Sequence, residues 1–251
     1  MGDAGLSALR NLLSPQGLAE GQTRVPLGHQ ETDAVLKGGL VKGALHEVYA
    51  CDSSHSGAAS GFASCLALRV SAKKKLLWIR QDFSALEFGE LSATGLLELG
   101  LDPDRVILVR AADASGVLRA AGEGLACAAL GAIIAEIPSE PKILDLVASR
   151  RLNFAAAREG VTALLVRLAA EPDASAAETR WVVRAARSAN NDDWGAPVFA
   201  AELVRNRHGE TGNWVMEWSI DHGIFREPAT DARTHAAASL DRPTTTMRRM
   251  G

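Results

Sequence analysis

An α/β domain is predicted, with a mostly parallel sheet flanked by helices and an antiparallel extension. Short apolar runs alternate with Ala/Leu-rich segments of helical length as far as Pro172. Strands buried on both faces read as continuous apolar runs, and helices between them imply βαβ units. Beyond Pro172 the helical segments vanish and strand-like runs follow one another. The composition agrees: 47% of residues are hydrophobic but only 5% aromatic, a mix that suits helix-on-sheet layers better than a β-sandwich.

The parallel strands are assigned to Leu45–Ala50, Leu76–Arg80, Val106–Arg110, Ala132–Ile137 and Ala163–Arg167. Helices are expected at Gly57–Ser71, Glu90–Leu99, Ser115–Cys127 and Ile143–Glu159. Three strands, Thr179–Ala186, Val198–Asn206 and Asn213–Ser219, form the expected antiparallel extension, with Arg207–Gly212 as the turn between the last two. In the last of these, Trp214, Met216 and Trp218 share one face by the period of two, and a half-buried strand explains them better than base stacking. Leu6, Leu9 and Leu13 have helical spacing, and so short an amphipathic helix must dock somewhere to persist. The text from Glu227 onward is Pro, Thr, Ala, Asp and Arg, and reads as a disordered tail. The expected organisation is therefore an N-terminal helix and linker over residues 1–24, a core over 25–226 and a tail over 227–251.

Composition also narrows the function classes. A net charge of -3 with 23% charged residues gives no bulk sign of a nucleic-acid or membrane binder. No stretch approaches the roughly eighteen apolar residues of a membrane span, and MGDAGLSALRNLL does not read as a signal peptide. The odd set Cys51, Cys65 and Cys127, widely spaced and without C-x-x-C, argues against a disulfide framework or a zinc site. It favours a reducing, cytoplasmic compartment, with Cys65 and Cys127 expected as small buried hydrophobes.

The strand ending at Ala50 and the helix beginning near Gly57 enclose Cys51, Asp52, Ser53, Ser54, His55 and Ser56. Strand, small-residue loop and helix is the arrangement in which backbone N–H groups cradle phosphate. The working pattern G-x-x-x-x-G-K-[ST], laid on Ala50, puts Ala at the first Gly, His55 at the second, Ser56 on the Lys and Gly57 on the Ser/Thr. No Lys lies between Lys42 and Lys73, so no shift of register supplies one. Without it nothing pairs with the β- and γ-phosphates, and without the hydroxyl Mg²⁺ loses a ligand. The loop alone leaves two readings open: a degenerate phosphate loop, or an ordinary βα turn.

The surrounding motifs resemble the RecA recombinase superfamily. Gly38-Gly39-Leu40-Val41-Lys42-Gly43 before the strand ending in Glu47-Val48 resembles the approach to the phosphate loop, preceded by Thr32–Leu36 as a short helix. Trp78–Asp82 resembles the second core strand, with Asp82 where that family carries its catalytic Glu. Leu99–Val106 resembles the turn before the third, and Ala132–Ile137 stands at the Walker B strand with Glu136 at the acidic position. Within that superfamily the closer resemblance is to the ImuA family, often labelled SulA-like. It is carried by Leu144–Arg167, Gly38–Val48 and Thr179–Val183. The resemblance covers roughly residues 25–220.

The resemblance implies a RecA-like core with a degenerate Walker A loop and no ATP hydrolysis. It implies a non-catalytic accessory role in damage-induced, error-prone translesion synthesis, cytoplasmic and nucleoid-associated during damage. The implied partners are ImuB, a Y-family polymerase relative without catalytic residues, an error-prone replicative-type polymerase and, further out, RecA itself. A SulA-like cell-division inhibitor, a RecA modulator acting alone and a degenerate but active ATPase are the rival readings.

The loop residues Cys51–Gly57 and the acids Asp82 and Glu136 are thus expected to be vestigial, with no cofactor, metal or catalytic residue. Ser54, His55 and Asp52 are the right types for a triad but lack a nucleophile elbow. Candidate partner contacts are Leu6, Leu9 and Leu13, for which the superfamily suggests docking on a neighbouring protomer and so a homo-oligomer, and Arg150, Arg151 and Arg158. Where RecA recombinases carry a long mobile DNA loop, this chain has Leu168–Glu178, short, without Lys, Arg or aromatic side chains, and bearing Glu171, Asp173 and Glu178. Three negative charges there repel a phosphate backbone, so any DNA contact is expected to be weak or indirect.

Overall fold

A computed structural model of the chain describes residues 22–188 and 195–228. Leu6, Leu9 and Leu13 and the tail beyond Pro228 lie outside the described residues. The elements are strand β1 (Arg24–Val25), helix α1 (Gln30–Val35), β2 (Leu40–Val41), β3 (Leu45–Ala50), α2 (Ser56–Ser71), β4 (Lys75–Gln81), α3 (Ser84–Phe88), α4 (Ala93–Glu98), β5 (Val106–Ala111), α5 (Ala114–Leu125), β6 (Leu130–Pro138), α6 (Leu146–Glu159), β7 (Thr162–Leu168), β8 (Thr179–Ala185), β9 (Val198–Asn206), β10 (Gly212–Ser219) and β11 (Ile224–Arg226).

Nine strands form one sheet in the order β11-β10-β9-β8-β3-β7-β6-β4-β5. The run from β8 to β5 is parallel, and β9, β10 and β11 continue it antiparallel. The expected mostly parallel sheet with flanking helices and an antiparallel extension is therefore present, with one change. Thr179–Ala185, assigned to the extension, pairs parallel to β3, His46 opposite Thr179. The chain returns from the end of β7 to the start of β8 through residues 169–178 without a helix, and that missing helix misled the sequence pattern. Ten residues can span about 33 Å extended, enough to run back along a seven-residue strand.

The helices divide between the two faces. α2 packs Ala59, Phe62, Ala63, Cys65, Leu66, Ala67 and Val70 against Val48, Ile134, Leu164, Trp181 and Leu203, the larger core. Its small side chains let a helix with no polar stripe lie close under the sheet. α5 and α6 cover the other face, with Val117, Ala121, Leu125, Leu152 and Ala156 on Leu45, Ile79, Ile133 and Leu165. Asp113 and Asp145 cap α5 and α6 by accepting the amides of Gly116 and Ala148, and Gly160 ends α6 in the left-handed region. The cap explains why α6 starts at Leu146 rather than Ile143.

Trp214, Met216 and Trp218 do share a core-facing side, Met216 and Trp218 buried and Trp214 packed against them. Two other expectations are corrected. Cys127 is exposed, because α5 stops at Leu125 and the residue falls in the following turn. Val106–Arg110 is not buried on both faces: β5 is the sheet edge, leaving Ile107 and Leu108 exposed. At the core margins, Arg24 belongs to β1 and donates to the carbonyls of Leu36 and Gly39. Glu227 pairs with His29 at 2.8 Å and Pro228 is buried, so both residues side with the core.

Candidate functional site

The loop after β3 stands at the carboxyl edge of the parallel strands, where ligands of open α/β sheets gather. Cys51 and Asp52 lead into a single 3-10 turn, Ser53–His55, and α2 follows at once. The Asp52 carboxylate turns back and accepts the Ser54 amide at 2.7 Å. The Ser54 hydroxyl first, and then this amide bond, hold the Asp52 carboxyl below its ordinary value. A helix N-terminus attracts anions through its free amides and dipole. Here Asp52 caps the 3-10 turn, while the N-cap of α2, His55, makes no side-chain cap bond; a phosphate entering the loop still meets the exposed Asp52 carboxylate. The His55 ring accepts the Ala185 amide at 3.4 Å, tying the loop to β8, and Ser56 is buried in the first turn of α2. Gly57 has open space where a side chain would start.

The two acids expected beside this loop part company. Glu136 on β6 is buried between partners: its carboxylate meets Arg80 Nε of β4 at 2.9 Å and accepts from Ser60 Oγ of α2 at 2.7 Å. It thus ties α2 to the sheet. Asp82, one residue past β4, is exposed and outside that cluster.

The expected DNA-repelling connection is also placed differently. Residues 169–178 lie along the α6 side of the sheet, with Ala170, Ala177 and Glu178 buried. Glu178 pairs with Arg207 at 3.4 Å and His208 at 3.0 Å, so its charge is not part of an open acidic loop; only Glu171 and Asp173 remain exposed or half-exposed there. Ser175 Oγ donates to Glu47 Oε2 at 2.7 Å, and Arg180 Nε meets the same oxygen at 2.9 Å.

Glu47 and Arg180 form a buried ion pair that the sequence reading missed. Its signal was present: β3 reads LHEVYA with both His46 and Glu47 in a strand buried at every position. A charge in such a strand requires a buried partner, and Arg180 is the strand-borne cation that supplies it. Tyr49 and Arg167 extend the cluster, the guanidinium lying 5.5 Å from the ring centre, and burial with Glu47 nearby pushes the Tyr49 hydroxyl up to about 12. Beside them a cavity of about 240 Å³ is lined by Glu47, Tyr49, Lys142, Asp145, Ser149 and Arg167.

Arg150, Arg151 and Arg158 are all exposed on α6 but do not share one face. Positions 146, 150, 154 and 158 fall on one stripe and 147, 151 and 155 on the next, by the helical period. Arg150 and Arg158 line a groove against Arg205 and Arg207, whereas Arg151 lines a separate one with Leu118, Ile143 and Val147. Among the described residues no group of three or more His, Cys, Asp or Glu side chains is placed to hold a metal ion, and no helix is long and apolar enough to cross a membrane.

These features define a class: an α/β protein with a helix-flanked, mostly parallel sheet, whose central strand-to-helix loop carries no lysine and holds an acid of its own on the Ser54 amide. No family model matches the chain. It is similar to Protein ImuA from two strains of Caulobacter vibrioides, 29% identical over 221 residues, covering 79% of this chain and 86% of each relative.

Proposed function

We propose that this chain is a non-catalytic accessory protein of damage-induced, error-prone translesion DNA synthesis, built on a RecA-like core whose Walker A loop is degenerate. It acts in the cytoplasm, at the nucleoid during damage. It bridges an ImuB-like inactive Y-family polymerase relative and the error-prone polymerase, with RecA as a further partner. Similarity to Protein ImuA supports the system to which it is assigned. The observation that carries the non-catalytic part is the Ala50–Gly57 loop: no Lys, no helix-start hydroxyl in the nucleotide register, and the Asp52 carboxylate on the Ser54 amide. A phosphate there finds no lysine to pair with and meets the like charge of Asp52. Glu136 is buried and engaged by Arg80 and Ser60, which suits a structural role better than that of a base at an open site.

The test has two arms. Titration calorimetry with ATP and Mg²⁺ is expected to show no binding at micromolar nucleotide, and a micromolar dissociation constant would remove the non-catalytic reading. Deleting the gene is expected to abolish ultraviolet-induced rifampicin resistance without slowing normal growth, and to add nothing to deletion of the ImuB-like partner. Unchanged mutation frequency, with filamentation on overexpression, would replace the translesion role by cell-division inhibition.

A further inference from the structure

The stripe Leu146, Arg150, Phe154 and Arg158 on α6 faces Arg205 and Arg207 across a groove of about 800 Å³. Between them lie small, uncharged groups: Asn153 and Ala157 from the helix, Ala174, Ser175 and Ala176 from the crossover. Phe154 is 73% exposed, the most exposed aromatic side chain of the described residues, although nothing in its own helix requires a phenyl ring in water. Four arginines and no acid line this groove in a chain of net charge -3. Arg158 has Glu159 at 3.1 Å and Arg207 has Glu178 at 3.4 Å, whereas Arg150 and Arg205 form no ion pair among the described residues.

We propose that this groove is the docking site of a partner protein, which lays in it an acidic segment carrying a bulky apolar side chain that packs on Phe154. The carboxylates of that segment meet Arg150 and Arg205, and the apolar side chain covers Phe154, Leu146 and Ala157. Charge complementarity sets the sign of the segment, and an aromatic centre ringed by arginines is the usual make-up of a protein hot spot. A nucleic-acid strand fits less well. Its charges repeat at every nucleotide and continue beyond the groove. At the Ala174–Ser175 end the groove adjoins the cavity in which Glu140, Asp145 and Asp173 stand beside Lys142 and Arg167, so the purely basic lining stops there. A peptide of limited length presents its acids at the arginines and stops. The inference rests on the reading that the chain works through partners, but not on which process they serve.

The experiment uses the purified full chain and a random library of 12-residue peptides displayed on phage. Selected peptides are synthesised and their binding measured by fluorescence anisotropy near physiological salt, beside a 12-nucleotide oligothymidylate. The expected result is enrichment of peptides with net negative charge and a Trp, Phe or Leu, whose affinity falls about tenfold or more in R150E/R205E and in F154S. R151E, on the other stripe of the same helix, is expected to bind as the unchanged protein does. Neutral or basic selected peptides, affinity indifferent to the three groove substitutions, or displacement of the peptides by equimolar oligothymidylate would each overturn the proposal. Circular dichroism melts of the variants keep a folding defect from being mistaken for lost binding. Because the readout is binding in vitro, its failure leaves the deletion phenotype standing, and the converse holds too.

Discussion

His46 lies in β3 with no exposed surface, its Nε2–H donating to the Val41 carbonyl at 2.8 Å and its Nδ1 accepting from the Thr179 hydroxyl at 2.8 Å. The Trp181 indole N–H donates in turn to Thr179 Oγ1 at 2.9 Å, so the chain of bonds is complete with a neutral ring. Burial, above all, lowers the His46 pKa from its ordinary value to about 4. Between pH 6.5 and 4 the unfolded chain therefore binds a proton that the folded chain refuses, and stability falls as the pH falls. The full contribution, about 3 kcal/mol, is present above pH 6.5 and is lost through this window. Urea unfolding from pH 7 to 4.5 is expected to show a steeper loss in the native chain than in His46→Gln, whose amide can copy both bonds without titrating. Parallel pH profiles would refute the assignment. The cysteines give a second residue-scale prediction. Cys127 is exposed; Cys65 is buried and its thiol pushed far up; Cys51 is half-buried and raised to about 11, by burial first and then by Glu171. At pH 8 only about one Cys51 in a thousand is thiolate, and the thiolate is the reactive form. Ellman's reagent is thus expected to find one fast thiol per folded chain, gone in Cys127→Ser; two fast thiols would contradict it.

Gly38 and Gly39 separate α1 from β2, and both have positive φ, +104° and +121°. They differ in surroundings. A Cβ on Gly38 meets nothing within 4 Å, whereas one on Gly39 falls 2.2 Å from the Val25 carbonyl oxygen, where β1 pairs with β2. Gly38→Ala is therefore expected to cost the backbone strain alone, about 1–2 kcal/mol, and Gly39→Ala distinctly more, because β1 must move away. Equal losses in urea unfolding would show that the close approach is not what requires Gly39. The Gly-Gly-Leu motif was visible in the sequence, but the strand pair it closes was not, since two-residue strands carry no periodicity. The five assigned parallel strands and the helices α2, α5 and α6 were legible because apolar runs and Ala/Leu-rich segments of helical length signal themselves locally. What escaped depends on distant partners. The pairing of β8 beside β3, the burial of Glu178 and the split of Arg150 from Arg151 into two grooves follow from what packs opposite, which no local pattern records.

The antiparallel extension and the parallel core are one body rather than two, and five aromatic rings show why. Phe62 of α2 stands 5.6 Å from Trp181, 5.6 Å from Phe199 and 5.2 Å from Phe225, ring centre to ring centre. Trp218 and Phe225 are 4.9 Å apart, nearly edge to face. The helix that opens at the central loop thus packs on rings from β8, β9 and β11 in a single core. β11 was invisible in the sequence, three residues just ahead of a polar tail, yet its Phe225 is fully buried and its amide donates to the Leu27 carbonyl at 2.9 Å. That contact closes the molecule, because Leu27 lies ahead of α1 near the start of the described chain. Arg69 reinforces the closure by donating to the carbonyls of Pro26 and Gly223. Unfolding is therefore expected to be one cooperative transition, seen alike by far-ultraviolet circular dichroism and by tryptophan fluorescence. Phe225→Ala removes a ring that touches three others, and a truncation of that size in a packed core costs about 3–5 kcal/mol. The loss is expected to lower the midpoint of that single transition without splitting it, since the rings it strands belong both to α2, which packs on the parallel strands, and to β9 and β10 of the extension. Phe225→Leu, which keeps most of the volume, is expected to recover more than half of the loss. Two separated transitions in the native chain or in Phe225→Ala, one sensed by fluorescence and a later one by circular dichroism, would mean that β9–β11 fold as a unit of their own and that the aromatic cluster is an interface between domains.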